Sequence, residues 1–207
     1  MAVKATKPGA GFAWRFHYGL RTLQRAYETS RLEPDKEKAR IEKIAGKHQK
    51  LVDAGKATWV DQDDDGNYGF DYGEHLGELL HDKESVLALV RLAFVMSLHH
   101  YWEQRLSGNL PKNSYDQIKA FAWLKGYGWK PKEIELNELR LAANCAKHSA
   151  GKSASDLYVL RPDMFDASKI KMGFDPGYES LAITDAHVAA FFEAVKQSVP
   201  DNLGLAF

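Results

Sequence analysis

The 207-residue chain contains very little cysteine and no long, uninterrupted apolar run. Its one cysteine, Cys145, cannot form an internal disulfide, which excludes a disulfide-stapled secreted scaffold and indicates a reducing compartment. The N-terminal stretch is positively charged but lacks the apolar core of a signal peptide, and the longest apolar stretch, 86–98, is interrupted by Arg91. The sequence therefore predicts a cytoplasmic protein that is neither exported nor inserted into a membrane.

The chain also lacks a net charge, since 28 Lys and Arg residues balance 28 Asp and Glu residues. This balance is not typical of a general nucleic-acid or membrane-surface binder, although a local basic patch is compatible with it. Charge is nevertheless segregated, because residues 1–56 carry 13 basic and 6 acidic side chains whereas residues 57–85 carry 1 and 9. The two segments either attract each other, within the fold or across a subunit boundary, or form separate solvated faces.

Apolar residues recur at helical spacing through most of the chain, and 44% hydrophobic content is enough to build a core. The spacing predicts six helices, a short β-hairpin or acidic loop at 58–72, and an irregular stretch at 152–181. The predicted helices cover 12–27, 34–55, 74–106, 114–126, 131–151 and 184–199. We therefore expect an all-α helical bundle that forms a single domain over residues 1–207.

Local signals set the predicted helix boundaries. Pro34 suits the first turn of the second helix, where its missing N–H is not needed, and the third helix is expected to break near Asp82. A capping box from Ser114 to Gln117 opens the fourth helix, and Thr184 caps the last one. The inward-facing residues predicted for the fourth helix are Ile118, Phe121 and Leu124.

One face of the fifth helix carries polar residues at four-residue steps. These residues are Arg140, Asn144 and His148, with Lys147 in the same arc. The opposite, core-facing side is predicted to consist of Leu139, Ala142 and Ala146. An imidazole can move a proton, a cation can stabilise phosphorane-like charge, and an amide can orient either group. The alternative is a solvated helix face with an incidental histidine.

The segment NELRLAANCAKH, within the predicted helix 132–150, resembles the signature helix of the HEPN superfamily. Members of this family are all-α bundles found in toxin and antiviral systems, and they typically carry an Arg, often an adjacent Asn, and a His four to six residues after the Arg. Here Asn144 and His148 have the family's Asn-x-x-x-His spacing. Ala143 stands where the family has its arginine, and Arg140 lies further back on the same face.

The resemblance implies a homodimer in which two motif helices meet, acting as a metal-independent endoribonuclease of a toxin or phage-defence system. In such a site His148 acts on the RNA phosphate and 2′-hydroxyl with a positive partner, which here is Arg140 or Lys147. Asn144 orients these groups, and an antitoxin is a possible protein partner. Because many family members are inactive, the alternative is a non-catalytic binding or regulatory module that uses the same polar stripe as a protein or nucleotide interface.

A second polar cluster lies in the long central helix. His99 and Glu103 are one turn apart, and His100 points about 100° away from His99, so the two histidines cannot easily bind one ion. We interpret His99 and Glu103 as an intrahelical pair. If the family geometry holds, these three residues support the motif helix. The sequence predicts no metal site and no cofactor.

The acidic segment 61–66 copies the first half of a calcium-binding EF-hand loop, but Tyr72 stands where that loop needs its bidentate glutamate. A polar hairpin turn is therefore the favoured interpretation of this segment.

Overall fold

The structure is a computed structural model that describes residues 10–62, 65–66, 68–110 and 114–200. The described part of the chain forms seven α-helices and one two-stranded antiparallel hairpin, which confirms the predicted all-α class. The helices are α1 (Ala10–Asp53), α2 (Tyr72–Ser107), α3 (Gln117–Gly126), α4 (Glu133–His148), α5 (Lys152–Leu160), α6 (Ala167–Lys171) and α7 (Asp185–Ser198). The strands are β1 (Val60–Gln62) and β2 (Tyr68–Asp71).

Internal contacts divide the chain into two compact units. The first contains the chain up to Tyr27 and from Arg91 onward, and the second contains Glu28–Val90. Helices α1 and α2 each contribute residues to both units. The organisation of 1–207 as one domain stays a prediction.

Helix α1 continues through Pro34, so the prediction of two separate helices was wrong. A proline inside a helix removes one backbone hydrogen bond, but the same residue is also common in a first turn, and the sequence signal does not separate the two cases. In the structure one continuous helix spans Ala10–Asp53 with Pro34 in its interior.

The second unit contains the predicted hairpin. Val60 pairs with Asp71 across the two strands, and the ring of His48 on α1 lies 4.4 Å from the ring of Trp59, which precedes β1. Asp63 and Asp64, which belong to the acidic segment, lie outside the described residues. Helix α2 passes through Asp82 without the expected break.

The first unit holds the larger core, built on aromatic and aliphatic side chains from α1, α2, α4 and α7. Phe16 and Trp102 are fully buried with ring centroids 6.1 Å apart, and α7 contributes Phe191 and Val195. Helix α4 packs against α5 and α7 through one apolar side. The buried apolar residues of α4 are Leu136, Leu139, Leu141, Ala142, Ala143 and Cys145.

An ion pair fixes α4 to the segment that follows α5. Glu138 is only 8% exposed, and the guanidinium of Arg161 donates to its carboxylate at 2.6 Å. Arg161 also donates to Asp163, whose other contact is the ring of His187 at 3.1 Å. Removing either partner would leave a buried charge without a counter-charge and destabilise the protein. The pair therefore stabilises the position of α4 relative to the segment that follows α5.

Several predicted details of the later helices were wrong. The side chain of Asp116, not Ser114, caps α3 by accepting from the Lys119 N–H, because the helix begins three residues later than predicted. Ile118 in the first turn of α3 is 82% exposed, although Phe121 and Leu124 are buried as expected. The stretch 152–181 is not irregular, since it contains α5, α6 and two short 3-10 turns. The Thr184 cap of α7 is confirmed.

Candidate functional site

The polar face of α4 runs from a half-buried middle to an exposed C-terminal end. Arg140 and Asn144 are half-buried, whereas Lys147 and His148 are exposed in the last turn of the helix. Ser149, at φ 63°, ends the helix directly after His148. The C-terminal end of a helix carries partial negative charge, so the sequence places its cations where the helix dipole stabilises them.

Ala143, at the position of the expected family arginine, is 4% exposed and belongs to the core of the first unit. A guanidinium at this position would be buried among apolar side chains without a partner, at a large desolvation cost. A small apolar residue at 143 is therefore consistent with how α4 packs. Any arginine that serves this face has to come from another position.

Arg140 does not point toward His148. Its guanidinium donates to the side-chain oxygen of Asn137 at 2.9 Å, and Asn137 lies one turn toward the N-terminal end of α4. His148 lies eight positions after Arg140, which is about 12 Å along the helix axis. The structure therefore does not bring these two predicted site residues together.

Arg140 instead lines a cleft of about 820 Å³ in the first unit. The cleft is bounded by the C-terminal part of α2, the start of α3 and the start of α4. Its polar lining residues are Glu103, Tyr115, Asp116, Gln117, Glu133, Asn137 and Arg140, and its apolar ones are Ile118, Phe121, Ile134 and Leu160. Sequence analysis singled out Glu103 and Arg140 from this set but missed Tyr115 and Asn137.

Helix α2 carries two of the predicted supporting residues, His99 and Glu103, within electrostatic reach of charged residues on α4. His99 is 8% exposed, and burial lowers the pKa of its imidazole to about 4, an effect to which the nearby charges of Arg140, His100 and Lys147 add. Its Nδ1 lies 3.8 Å from a Glu103 oxygen, which is too far for a hydrogen bond. Its Nε2 is buried without a hydrogen-bond partner among the described residues. His99 is therefore neutral at pH 7.

Glu103 lines the cleft and also lies within electrostatic reach of the C-terminal half of α4. Burial raises the pKa of its carboxyl group, and the nearby charges of His100 and Lys147 oppose that rise. His100 itself is exposed, and its Nε2 lies 2.7 Å from the side-chain nitrogen of Gln104. The structure therefore brings Glu103 within electrostatic reach of Lys147, the residue before His148.

Tyr115 is held in the cleft wall by the core. The indole N–H of Trp102 donates to its hydroxyl at 2.9 Å, and burial raises the pKa of that hydroxyl to about 12. A hydroxyl that stays protonated at neutral pH can still donate a hydrogen bond to a ligand in the cleft. Its signal in the sequence was a single tyrosine just before a helix, which does not distinguish it from other loop residues.

Cys145 is the only cysteine in the sequence. Cys145 is 1% exposed, and burial raises the pKa of its thiol to about 11, so it is a packing residue and not a thiolate nucleophile. Within the described ranges, no three or more His, Cys, Asp or Glu side chains are grouped so that they could hold a metal ion.

No helix in the described part of the chain has a stretch both long and hydrophobic enough to span a bilayer.

No protein-family model, no curated protein and no solved structure matches this chain.

Proposed function

We propose that this protein is a metal-independent endoribonuclease of the HEPN type, acting in the cytoplasm in a toxin or phage-defence system. His148 moves the proton, and Lys147 beside it stabilises the charge that develops on the phosphate. Asn144, one turn before His148, orients the reacting groups. Arg140, two turns away in the cleft, binds the RNA backbone and not the phosphate that reacts.

The reaction requires only proton transfer and charge stabilisation. The ribose 2′-oxygen attacks the adjacent phosphorus, the bond to the 5′-oxygen breaks, and the products are a 2′,3′-cyclic phosphate and a 5′-hydroxyl. His148 takes the proton from the 2′-hydroxyl and returns it to the leaving 5′-oxygen, so no proton is gained or lost overall. The ammonium of Lys147 stabilises the negative charge on the phosphate during the transfer.

The observation that carries this proposal is the electrostatic proximity of charged residues on α2 and α4. The Glu103 carboxyl lies within electrostatic reach of Lys147, next to an exposed His148. Glu103 acts as a positioning residue, because its negative charge attracts the Lys147 ammonium. His99 stays neutral below these groups and adds no competing positive charge.

The test is incubation of the purified protein with total RNA and with tRNA in excess EDTA. We expect wild-type protein to cut RNA and His148→Ala to lower the rate by about 100-fold or more, since it removes a general acid–base group. Lys147→Ala should lower the maximal rate, and Arg140→Ala should weaken RNA binding more than it slows the bound complex.

Matched controls separate a loss of chemistry from a loss of fold. His81→Ala removes another exposed histidine, and Arg40→Ala removes another exposed arginine, so both should cut at the wild-type rate. The melting temperature of His148→Ala should stay within a few degrees of wild type. Equal loss of stability and activity in His148→Ala would make this histidine structural and contradict the proposal.

A second function is favoured by the rim of the cleft. Ile118, Ile134 and Leu160 line it and are 82%, 72% and 51% exposed. Grouped exposed apolar side chains beside a few polar groups are typical of protein-binding surfaces. A non-catalytic module that binds a protein such as an antitoxin in this cleft is therefore the alternative, and absence of RNA cleavage at high protein concentration would favour it.

A further inference from the structure

A stripe of aromatic and basic side chains follows the exposed side of α1 in the first unit. Trp14, Tyr18, Arg21 and Arg25 are spaced at four, three and four residues, which keeps them on one face of a helix. Trp14 is 47% exposed and Tyr18 is 58% exposed, and their rings are stacked with centroids 5.5 Å apart. We call these four residues the α1 stripe.

Trp14 and Tyr18 are exposed side by side, whereas other aromatic residues of the same helix lie in the core of this unit. Phe16 is fully buried and Tyr27 is 5% exposed, so α1 already has a complete inward face. The stripe is a second, separate face. Its function is therefore not explained by the packing of the unit.

Both charged residues of the stripe are arginines. Residues 10–27 contain three arginines and no Asp or Glu, and Glu28 follows three residues after Arg25. Arg15, Arg21 and Arg25 are exposed and form no ion pair with other residues in the described part of the chain, whereas Arg91 and Arg161 of the same unit bind carboxylates. Three unneutralised guanidinium groups beside stacked aromatic rings are complementary to a polyanion whose units carry flat rings.

We propose that the α1 stripe binds a segment of single-stranded RNA outside the site on α4. The bases stack on Trp14 and Tyr18, and Arg21 and Arg25 bind the phosphates on either side. Every base has a π face, so such a surface holds RNA with little sequence preference. This proposal deepens the endoribonuclease function and rests on it, because it assigns the place where the substrate strand is held.

The test is fluorescence anisotropy with a fluorescein-labelled oligouridine of about ten nucleotides, in EDTA, with all variants made in a His148→Ala background to prevent cleavage. We expect the Trp14→Ala/Tyr18→Ala double variant to raise Kd by about 10-fold or more without changing the salt dependence. The Arg21→Gln/Arg25→Gln double variant should raise Kd and reduce the slope of log Kd against log salt by about 1 to 2. Trp14→Phe/Tyr18→Phe, which keeps the rings, should restore tight binding.

Control variants and the RNA cleavage assay distinguish failure of the stripe proposal from failure of the proposed endoribonuclease function. Phe174→Ala and Arg40→Gln change an exposed aromatic and an exposed cation elsewhere, and both should bind like the parent. If the stripe variants bind oligouridine as tightly as these controls, the stripe proposal is overturned, whether or not the protein cuts RNA. Binding that depends on the stripe, combined with no cleavage by the protein with His148 intact, overturns only the endoribonuclease function.

Anionic lipid is the other polyanionic surface that a basic and aromatic helix can bind. Sedimentation with phosphatidylserine vesicles distinguishes the two. If the stripe variants lose vesicle binding while the parent shows no affinity for oligouridine, the stripe is a lipid-binding surface and the RNA proposal is overturned. Stripe-dependent oligouridine binding in the absence of vesicles supports it.

Discussion

His99 shows how burial decides the chemistry of one side chain. Two histidines stand side by side in the sequence, and nothing in their local context says which one is buried. In the structure His99 is buried, with the charges of Arg140 and Lys147 nearby, whereas His100 is exposed. The difference depends on contacts between residues that are far apart in the chain, which local sequence does not show.

The shifted pKa of His99 predicts a loss of stability in mild acid. Its pKa is about 4 in the folded chain and about 6.5 when unfolded, so the unfolded chain binds the proton first as pH falls. Stability should therefore decline from about pH 6.5 down to pH 4, by up to about 3 kcal/mol. Urea unfolding of wild type, His99→Gln and His100→Gln between pH 4 and 7 measures this. Equal pH dependence in wild type and His99→Gln would contradict the assignment.

Which residues line the cleft was only partly predictable from sequence. Helical periodicity placed Arg140 on a polar face of α4, and the intrahelical spacing singled out Glu103. Tyr115 and Asn137 carry no such signal, because their roles depend on contacts with Trp102 and with the Arg140 side chain. Similarly, comparison with the family motif places Ala143 where an arginine is expected, whereas in the structure Ala143 is a buried core residue of α4.

At the scale of the helices, a close approach between α1 and α2 depends on a glycine. A Cβ atom built on Gly19 would lie 2.7 Å from the Tyr101 hydroxyl, which is bound to the backbone oxygen of Phe16. Alanine has a higher helix propensity than glycine by up to about 1 kcal/mol, but the overlap would displace the tyrosine and break its hydrogen bond.

We therefore expect Gly19→Ala to destabilise the protein by about 1 to 2 kcal/mol, although it is a favourable change for an isolated helix. Gly46→Ala on the same helix is the matched control, because no atom lies within 4 Å of the added Cβ, and it should stabilise by about 0.5 to 1 kcal/mol. Chemical denaturation of both variants measures the two effects. Stabilisation by Gly19→Ala would show that Tyr101 does not pack closely there.

The presence of most helices was predictable from the sequence. Where each helix ends, and whether two helical segments form one continuous helix, was harder to predict. Amphipathic spacing correctly indicated the helices that form the core, and the Thr184 cap fixed the start of α7. Pro34 was misassigned because a proline is compatible with either a first turn or a strained interior. Helix α5 was missed because only Ala154 and Leu157 within it are buried, so its apolar face is too small to produce a clear period.

At the scale of the whole molecule, the endoribonuclease proposal includes a homodimer in which two α4 helices meet. Light scattering at micromolar concentration should then give a mass of twice 23.3 kDa. In such a dimer each site would be completed by the second copy, and the exposed Lys147 and His148 would be shared across the twofold axis. A mass of 23.3 kDa would exclude a composite site, and the chemistry would then have to come from one chain.

Over the whole chain the net charge is zero, but the basic and acidic residues are concentrated in different segments. The basic N-terminal segment and the acidic segment 57–85 cancel in the sum, so net charge alone neither indicates nor excludes a local RNA-binding surface. What the structure adds is exposure: the arginines of the α1 stripe are open to solvent, and they form no ion pair among the described residues. Composition could not predict this, because it depends on which side of α1 is buried.

Cleavage of RNA by proton transfer at His148 can be tested through the chemistry of the product ends. A defined RNA is incubated with wild type and with His148→Ala in excess EDTA, and the fragments are identified by mass spectrometry. We expect fragments with 2′,3′-cyclic phosphate and 5′-hydroxyl ends that are made by wild type and not by His148→Ala. Uncut RNA, or identical fragments from both proteins, would contradict it.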